Sequence, residues 1–338
     1  MDSRPIIAIT AGDPAGIGPE ISVKALMEKE LYEHSKPLLI GDSPVIRYYM
    51  DLLGTKGKLN VIESPSQGEY KAGTIDMIDV GEVRDMREIE TGKISVKAGR
   101  ASAKYIEKAV ELASLREVDA IATAPINKEA WKLADVPHIG HTEMLGDLTG
   151  VRDPLTMFQV KDLRIFFLTR HVSLRKACDM VKKERVLDYI ERCTKALKAL
   201  GIENPRLAVA ALNPHGGEHG LFGDEEMKEI EPAVKEAQKR GFNAYGPLPA
   251  DSVFWACLSG KYDAVLSLYH DQGHIAAKTL DFHRTVSITL GLPFLRTSVD
   301  HGTAMDIAGQ GIANPISMIE AIKVAASYAK RYNAKELI

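Results

Sequence analysis

Cysteine is scarce in this chain, whose 338 residues include only Cys178, Cys193 and Cys257, widely spaced and odd in number. No CxxC pair occurs. A disulfide framework is therefore excluded as the basis of the fold, and a reducing, cytoplasmic location is the expectation that fits best.

Long apolar runs and a strong net charge are also missing. No apolar stretch approaches the ~20 residues of a transmembrane helix, and residues 1–14 contain no apolar segment typical of a signal peptide. The net charge is −3, which gives the whole molecule no electrostatic basis for binding nucleic acid, although local basic groups could bind a small anion. With 45% hydrophobic and 26% charged residues, we expect a soluble globular protein of about two domains, with neither a membrane nor nucleic acid as a partner.

Common nucleotide-binding and serine-hydrolase motifs are absent. Residues 12–20 read GDPAGIGPE. They follow an apolar run and form a turn that leads into a helix with proline in its first turn. The segment matches neither GxGxxG nor a P-loop, and no GxSxG occurs in the chain. Taken alone, it is as compatible with a structural turn as with a ligand-binding loop.

Short apolar runs alternate with helical patterns along the whole chain. This alternation predicts an α/β fold with largely parallel sheets, in two lobes with the functional site between them. The predicted strands are 5–11, 37–41, 59–62, 75–80, 118–122, 164–168, 207–212 and 264–268, with another near residue 242; the main predicted helices are 95–115, 182–200, 224–240 and 316–332.

Three histidines, His171, His215 and His270, come just after predicted strands. The carboxyl ends of parallel strands meet at one edge of a sheet, so the three imidazoles can converge. Three neutral imidazoles make a divalent-metal site with an open position for water or substrate, and such a set favours transition metals. A lone histidine is more often a hydrogen-bonded structural residue, and the residues alone leave both interpretations open.

The remaining histidines of this region are weaker candidates. His219 and His274 each lie four residues after one of the three, but the intervening glycines argue against helix there, so we do not expect them to be ligands. His34 and His283 are expected at the surface.

Charged residues surround the same segments. Lys278 and Arg296 would each be surface charge by default, but Arg296 lies between an apolar and a small polar neighbour, where a charge is costly unless it binds an anion. Asp251 and Asp271 can orient an imidazole or act as a base.

Two earlier segments offer groups for an anion. His141 and Thr142 open a helix and provide an imidazole, a hydroxyl and free backbone N–H groups suited to phosphate or carboxylate; alternatively, Thr142 is only an N-cap. Lys128 is interpreted as a solvated residue at a helix start.

Six segments together resemble the 4-hydroxythreonine-4-phosphate dehydrogenase family. They are GDPAGIGPE (12–20), ATAPINKEA (122–130), GHTE (140–143), NPHGGEHG (213–220), YHDQGHIAAK (269–278) and GLPFLRTSVDHGTAMDIAGQGIANP (291–315). The resemblance covers essentially the whole chain, and the motifs are long and specific. GIGPE and HGTAMDIAGQGIANP also resemble isocitrate and isopropylmalate dehydrogenases, which bind a dinucleotide without GxGxxG.

The resemblance implies a two-lobed, isocitrate/isopropylmalate dehydrogenase-like fold and a homodimer. Residues 1–130 with 270–338 would form a cofactor-side lobe, and 131–269 a substrate, metal and dimer lobe. His171 and His215 would bind zinc, cobalt, manganese or magnesium together with the partner subunit's His270.

It also implies the remaining site residues. Substrate-binding positions are His141, Thr142, Lys278, Arg296 and Ser287, the last being asparagine in most of the family. NAD would lie along His301, Gly302, Thr303, Ala304 and Asn314, with Gly12 and Asp13 near the mouth of the cleft.

The expected activity is NAD-dependent, metal-assisted oxidation with decarboxylation of a phosphorylated 3-hydroxy acid, with Lys278 or Asp251 accepting the proton. The serine at 287 favours 4-phospho-D-threonate or 4-phospho-D-erythronate as the substrate. Oxidation of either acid would belong to carbohydrate metabolism. The alternatives are 4-hydroxythreonine-4-phosphate oxidation in pyridoxal phosphate (vitamin B6) synthesis, a non-catalytic metal- or phosphate-binding regulator, and a metal hydrolase using the same histidines.

Overall fold

The computed structural model describes residues 2–337 as two compact units. The first comprises the chain up to Pro154 together with Leu292–Lys330, and the second comprises Leu155–Gly291 together with the chain from Arg331. The lobes expected from the sequence were 1–130 with 270–338, and 131–269. Residues 131–154, 270–291 and 331–337 thus belong to the opposite unit from the one expected. The strand Val286–Leu290 pairs with the strand Leu155–Val160, and the helix His141–Thr149 packs on the helix Val96–Ser114.

The strands, in chain order, are β1 Ile6–Thr10, β2 Lys36–Gly41, β3 Lys58–Val61, β4 Thr74–Asp79, β5 Ala120–Thr123, β6 Leu155–Val160, β7 Leu163–Phe167, β8 Leu207–Ala210, β9 Ala244–Leu248, β10 Ala264–Ser267, β11 Val286–Leu290 and β12 Leu295–Val299. The helices are α1 Gly18–Leu26, α2 Leu31–His34, α3 Ser43–Leu52, α4 Val96–Ser114, α5 Lys128–Leu133, α6 His141–Thr149, α7 Leu174–Asp179, α8 Lys183–Ala199, α9 Glu231–Lys239, α10 Ala250–Leu258, α11 His270–Leu280 and α12 Ile316–Ala329. A π-helical turn, Glu226–Ile230, leads into α9.

The first unit contains an all-parallel sheet in the order β3-β4-β2-β1-β5-β12. Its central strands are short and apolar, as expected for strands covered on both faces. In register, Thr10 and Ser298 flank Thr123 on the two neighbouring strands. Three hydroxyl residues therefore lie side by side near the carboxyl ends of β1, β5 and β12.

The second unit contains a mixed sheet in the order β11-β6-β7-β10-β8-β9. β6 runs antiparallel to both neighbours, whereas β7, β10, β8 and β9 are parallel. Because β7, β10 and β8 are adjacent, the segments that follow them, with His171, His270 and His215, leave the same edge of the sheet.

The predicted α/β fold with largely parallel sheets is confirmed. Three strands, β6, β11 and β12, were not predicted. Their sequences, LTMFQV, VSITL and LRTSV, mix polar with apolar residues, so no continuous apolar run marks them. Among residues 2–337, no helix has the length and apolarity needed to cross a membrane.

Candidate functional site

His171 and His270 lie close together at the carboxyl edge of the second unit's sheet. Their ring centroids are 6.0 Å apart, with the ring planes inclined by 42°. Nδ1 of His270 lies 2.6 Å from Oδ1 of Asp271, a contact that fixes the ring's orientation, as carboxylates do for metal-binding imidazoles. Both histidines line a cavity of about 390 Å³.

His215 lies on a left-handed turn. The five residues from His215 to His219 all have positive φ angles, between 45° and 80°, a conformation that costs a non-glycine residue roughly 1–2 kcal/mol. The two glycines inside the turn relieve part of that cost. The expectation that this segment is not an ordinary helix is confirmed, and its backbone strain is of the kind that collects at functional sites.

Glu226 holds the start of this turn. Its carboxylate, 2% exposed, accepts hydrogen bonds at Oε1 from the backbone N–H groups of Leu212 and Asn213, both at 2.7 Å, and at Oε2 from Nδ2 of Asn213 at 2.9 Å. The π-helical turn that begins at Glu226 is itself a feature often found at functional sites. A buried carboxylate thus determines where the chain leaves β8 toward His215.

The histidines fit part of a metal site. An imidazole pair with one ring oriented by a carboxylate matches the chemistry of a divalent transition-metal centre. Among residues 2–337 of a single chain, however, no group of three or more His, Cys, Asp or Glu side chains is arranged to hold a metal. The three-histidine site, which needs the partner subunit's His270, stays a prediction.

His274 corrects one sequence argument. Gly273 was expected to prevent helix here, but α11 includes both residues, and the ring of His274 stacks on His270 with centroids 4.0 Å apart. A Cβ at position 273 would lie 2.5–2.8 Å from atoms of Phe167, Ser267 and Ile165, so glycine allows the helix to approach the strands. Burial lowers the pKa of His274 to about 4, and the ring is neutral at pH 7.

Lys278 and Asp251, the candidate proton acceptors, are on neighbouring helices of the second unit. Lys278 follows His270 and His274 along one face of α11, with Nζ 5.3 Å from the centroid of the Phe282 ring. Asp251 is exposed in the first turn of α10 and lines a cavity of about 660 Å³ with Asp271.

Ser287 is half-buried on β11, opposite Phe158 of β6. His34 and His283 are exposed, as expected.

In the first unit, the buried cation of Arg296 acts on the imidazole of His141. Arg296 is 4% exposed, and burial lowers its pKa to about 9, so the guanidinium remains charged at pH 7. Burial and the positive charges of Arg296 and Lys128 hold the pKa of His141 well below its usual value, so this imidazole is neutral. Its buried Nε2 has no hydrogen-bond partner among the residues the structure describes, which fits a role in binding a ligand.

Thr142 is half-buried in the first turn of α6, next to His141. The N-cap of α6 is Gly140, not Thr142. Lys128 is exposed, as expected of a helix-start residue, but its charge reaches His141.

The predicted cofactor segments also lie together in the first unit. The backbone N–H of Ile17 donates to the carbonyl of Thr303 at 3.0 Å, and a Cβ at Gly16 would lie 2.8 Å from Cβ of Thr303. A Cβ at Gly302 would meet no atom within 4 Å. The open space beside Gly302 leaves room for a ligand, and the role of these residues in holding NAD stays a prediction.

The other predicted cofactor residues have varied surroundings. Gly12 (φ 74°) and Asp13 are buried, His301 and Ala304 are half-buried and Asn314 is exposed. Oδ1 of Asp13 accepts from the backbone N–H of Ala15 at 2.8 Å, and burial raises the pKa of Asp13 to about 6.

Lys24 and Glu20 of α1 fasten the far end of the cofactor segment. Nζ of Lys24 donates to Oε1 of Glu20 and to the carbonyls of Gly311 and Ala313, at 2.8, 2.9 and 2.7 Å. The backbone N–H of Ala313 donates to the same Glu20 oxygen at 2.7 Å.

Sequence reasoning missed Glu226, Lys24, Glu20 and Thr123, the last being the hydrogen-bond partner of Arg296. Glu226 lay inside the predicted helix 224–240, where no feature of the sequence singled it out. Thr123 lies in the segment ATAPINKEA and Glu20 in GDPAGIGPE. The signal that could have identified them is a polar residue within a segment typical of the family.

Known proteins are similar to this chain over nearly its whole length. Residues 33–325 match the family model described as "Pyridoxal phosphate biosynthetic protein PdxA". A protein of Symbiobacterium thermophilum named "Putative D-threonate 4-phosphate dehydrogenase" is 60% identical over 332 residues, covering 98% of this chain and 99% of that protein.

Two solved structures are similar over nearly their full length. The 4-hydroxythreonine-4-phosphate dehydrogenase from Burkholderia phymatum is 43% identical, with a TM-score of 0.87 and 97% of this chain and 99% of that chain covered. The corresponding enzyme from Klebsiella pneumoniae is 40% identical, with a TM-score of 0.89 and coverages of 97% and 98%. The predicted isocitrate/isopropylmalate dehydrogenase-like fold is confirmed, and the chain belongs to the PdxA family.

Proposed function

We propose that this protein is a dehydrogenase that oxidises a phosphorylated hydroxy acid, most specifically 4-phospho-D-threonate or 4-phospho-D-erythronate, with NAD and a divalent metal. The observation that carries the proposal is membership of the PdxA family together with 60% identity, over 98% of the chain, to a protein named for D-threonate 4-phosphate. The half-buried Ser287, where the resemblance leads us to expect asparagine, supports the same substrate.

Different residues bind the substrate and accept its proton. His141, Thr142 and Arg296 hold the anionic ends of the substrate, and Lys278 or Asp251 accepts the proton of the C3 hydroxyl. Bound NAD would supply the hydride acceptor for C3, and a bound divalent metal would supply positive charge for the substrate oxygen. The metal would be held by His171 and His215 with the partner subunit's His270. The β-keto acid product loses carbon dioxide.

We infer that the active protein is a cytoplasmic homodimer. Its three free cysteines support a reducing location. Trp255 and Ile275 support an assembly, because these large apolar residues are 71% and 65% exposed and line one cavity of the second unit. Exposed apolar patches of this kind mark interaction surfaces.

A second candidate function is the oxidation of 4-hydroxythreonine-4-phosphate in vitamin B6 synthesis. It is favoured by the description of the family as a pyridoxal phosphate biosynthetic protein and by the names of the two solved relatives. The two substrates differ chiefly at C2, which carries a hydroxyl in one and an amine in the other.

The test follows NADH absorbance with purified protein, NAD and Mn²⁺, using 4-phospho-D-threonate and 4-phosphohydroxy-L-threonine separately. We expect faster turnover of the first substrate and loss of turnover after treatment with EDTA. Preference for the second substrate would support the B6 reaction. Absence of NADH with both would refute the proposal and favour a non-catalytic binding protein.

Two variants sharpen this experiment. His215→Ala should abolish turnover, whereas His219→Ala, a matched change on the same exposed left-handed turn, should leave it nearly intact; equal losses would argue against a specific role for His215. Ser287→Asn should shift preference toward 4-phosphohydroxy-L-threonine, and an unchanged preference would remove Ser287 as the selector.

A further inference from the structure

Thr123 is a fully buried threonine at the end of β5 whose hydroxyl contacts Arg296. Nε and Nη2 of Arg296 both donate to Oγ1 of Thr123, at 3.1 and 2.6 Å. The two residues lie on adjacent parallel strands, with Arg296 opposite Ile121 and Ser298 opposite Thr123. The contact therefore joins two rigid elements and engages one whole edge of the guanidinium.

The hydroxyl is saturated by these contacts. A threonine hydroxyl has one donor and two acceptor positions. Arg296 fills both acceptor positions, and the hydroxyl hydrogen has Oγ of Ser298 at 3.1 Å and the carbonyl of Thr297 at 3.5 Å within reach. The oxygen is thus held in one orientation by its neighbours.

An oriented guanidinium matters for anion binding. Arginine recognises phosphate and carboxylate through a planar fork, so the plane of its nitrogens decides whether two hydrogen bonds can form at once. A guanidinium that is ordered before the ligand arrives also avoids the entropic cost of ordering it on binding.

We propose that Thr123 is a positioning residue for the substrate: its hydroxyl fixes the guanidinium plane of Arg296 in the orientation that receives an anionic end of the phosphorylated acid. The inference rests on the proposed role of Arg296 in substrate binding. In this role Thr123 acts through Arg296 and not by touching the substrate, and a purely structural role for it would leave substrate affinity unchanged.

The experiment compares Thr123→Val with Thr123→Ser. Valine has nearly the shape of threonine but no hydroxyl, whereas serine keeps the hydroxyl and loses only a methyl group. We expect T123V to raise KM for 4-phospho-D-threonate about tenfold or more, as is usual when a charged group loses a hydrogen bond. KM for NAD should stay within about twofold, and T123S should restore most of the affinity for the acid. If T123V does not fold, as judged by circular dichroism, Thr123→Ala is the second variant.

A double-mutant cycle tests whether Thr123 acts through Arg296. In an Arg296→Lys background, which lacks the guanidinium, T123V should have little further effect on KM. The proposal is overturned if T123V leaves KM for the acid unchanged, if T123S is as impaired as T123V, or if the effect is equally large in the R296K background.

Binding measurements separate this proposal from the proposed function. Isothermal titration of the same variants with 4-phospho-D-threonate, and separately with inorganic phosphate, needs no turnover. A wild-type protein that binds the acid but forms no NADH would refute the dehydrogenase assignment and leave the binding series to decide the role of Thr123. A wild-type protein that binds neither compound would overturn both.

Discussion

Replacing Glu226 with alanine should strongly destabilise the second unit. The substitution leaves the backbone N–H groups of the half-buried residues Leu212 and Asn213 without their carboxylate acceptor. An unsatisfied buried donor costs roughly 1–3 kcal/mol, and hydrogen bonds to charged groups lie at the upper end of the range for hydrogen bonds. Relaxation of the left-handed turn relieves roughly 1 kcal/mol of backbone strain and offsets part of this cost. Two such hydrogen bonds at roughly 1.5–3 kcal/mol each, less this gain, give an expected net loss of about 2–5 kcal/mol in the free energy of unfolding.

The assay is urea denaturation followed by circular dichroism, with Glu225→Ala as the matched control. Glu225 is the adjacent residue and the same type, but it is less buried and, within residues 2–337, accepts only from Nδ2 of Asn213, at 2.7 Å. We expect this control to cost less than about 1 kcal/mol, as is usual for partly exposed polar contacts. If Glu226→Ala is no more destabilising than Glu225→Ala, the carboxylate does not hold the turn and the reasoning fails.

Three further predictions concern assembly, cofactor binding and pH. Trp255→Asp should convert the proposed dimer to monomers in analytical ultracentrifugation; a dimer of unchanged stability would move the interface elsewhere. Lys24→Met should raise KM for NAD several-fold without changing KM for the acid, because the segment that ends at Ala313 loses its hydrogen bonds to Lys24. The control is Lys29→Met, a change at a nearby exposed lysine. Equal effects of the two changes would exclude a role for Lys24 in holding the cofactor segment. The free energy of unfolding should fall as pH rises from about 4 to about 6, because the folded state holds a proton on Asp13 that the unfolded state releases. The free energy of unfolding should decrease by about 3 kcal/mol over this range. Asp13→Asn should remove that part of the slope in thermal melts, and an unchanged slope would show that Asp13 titrates normally.

Fold class could be predicted from the sequence because most strands are unbroken apolar runs bounded by turns. β10, for example, reads AVLS and is fully buried. The strands that were missed needed tertiary information: β11 is identifiable only through its antiparallel pairing with β6. Helix α11 was misjudged at its start because Gly273 is there for close packing against strands, not to end a helix.

The candidate site was predictable where residues follow strands directly, and less so where they act through others. The proximity of His171 and His270 follows from the adjacency of β7 and β10. The left-handed geometry around His215 depends on Glu226, which lies outside the motif. The partnership of Thr123 and Arg296 required knowing that β5 and β12, far apart in the chain, are neighbours.

The close packing of α11 against the sheet limits how the substrate range of such an enzyme could change. No Cβ fits at Gly273 against Phe167, Ser267 and Ile165, so the helix cannot slide or rotate without a clash in a close-packed interior. The residues it carries are thus fixed in place for any substrate. We therefore expect adaptation to a new acid to occur by exchange of single side chains, with the position of the helix unchanged.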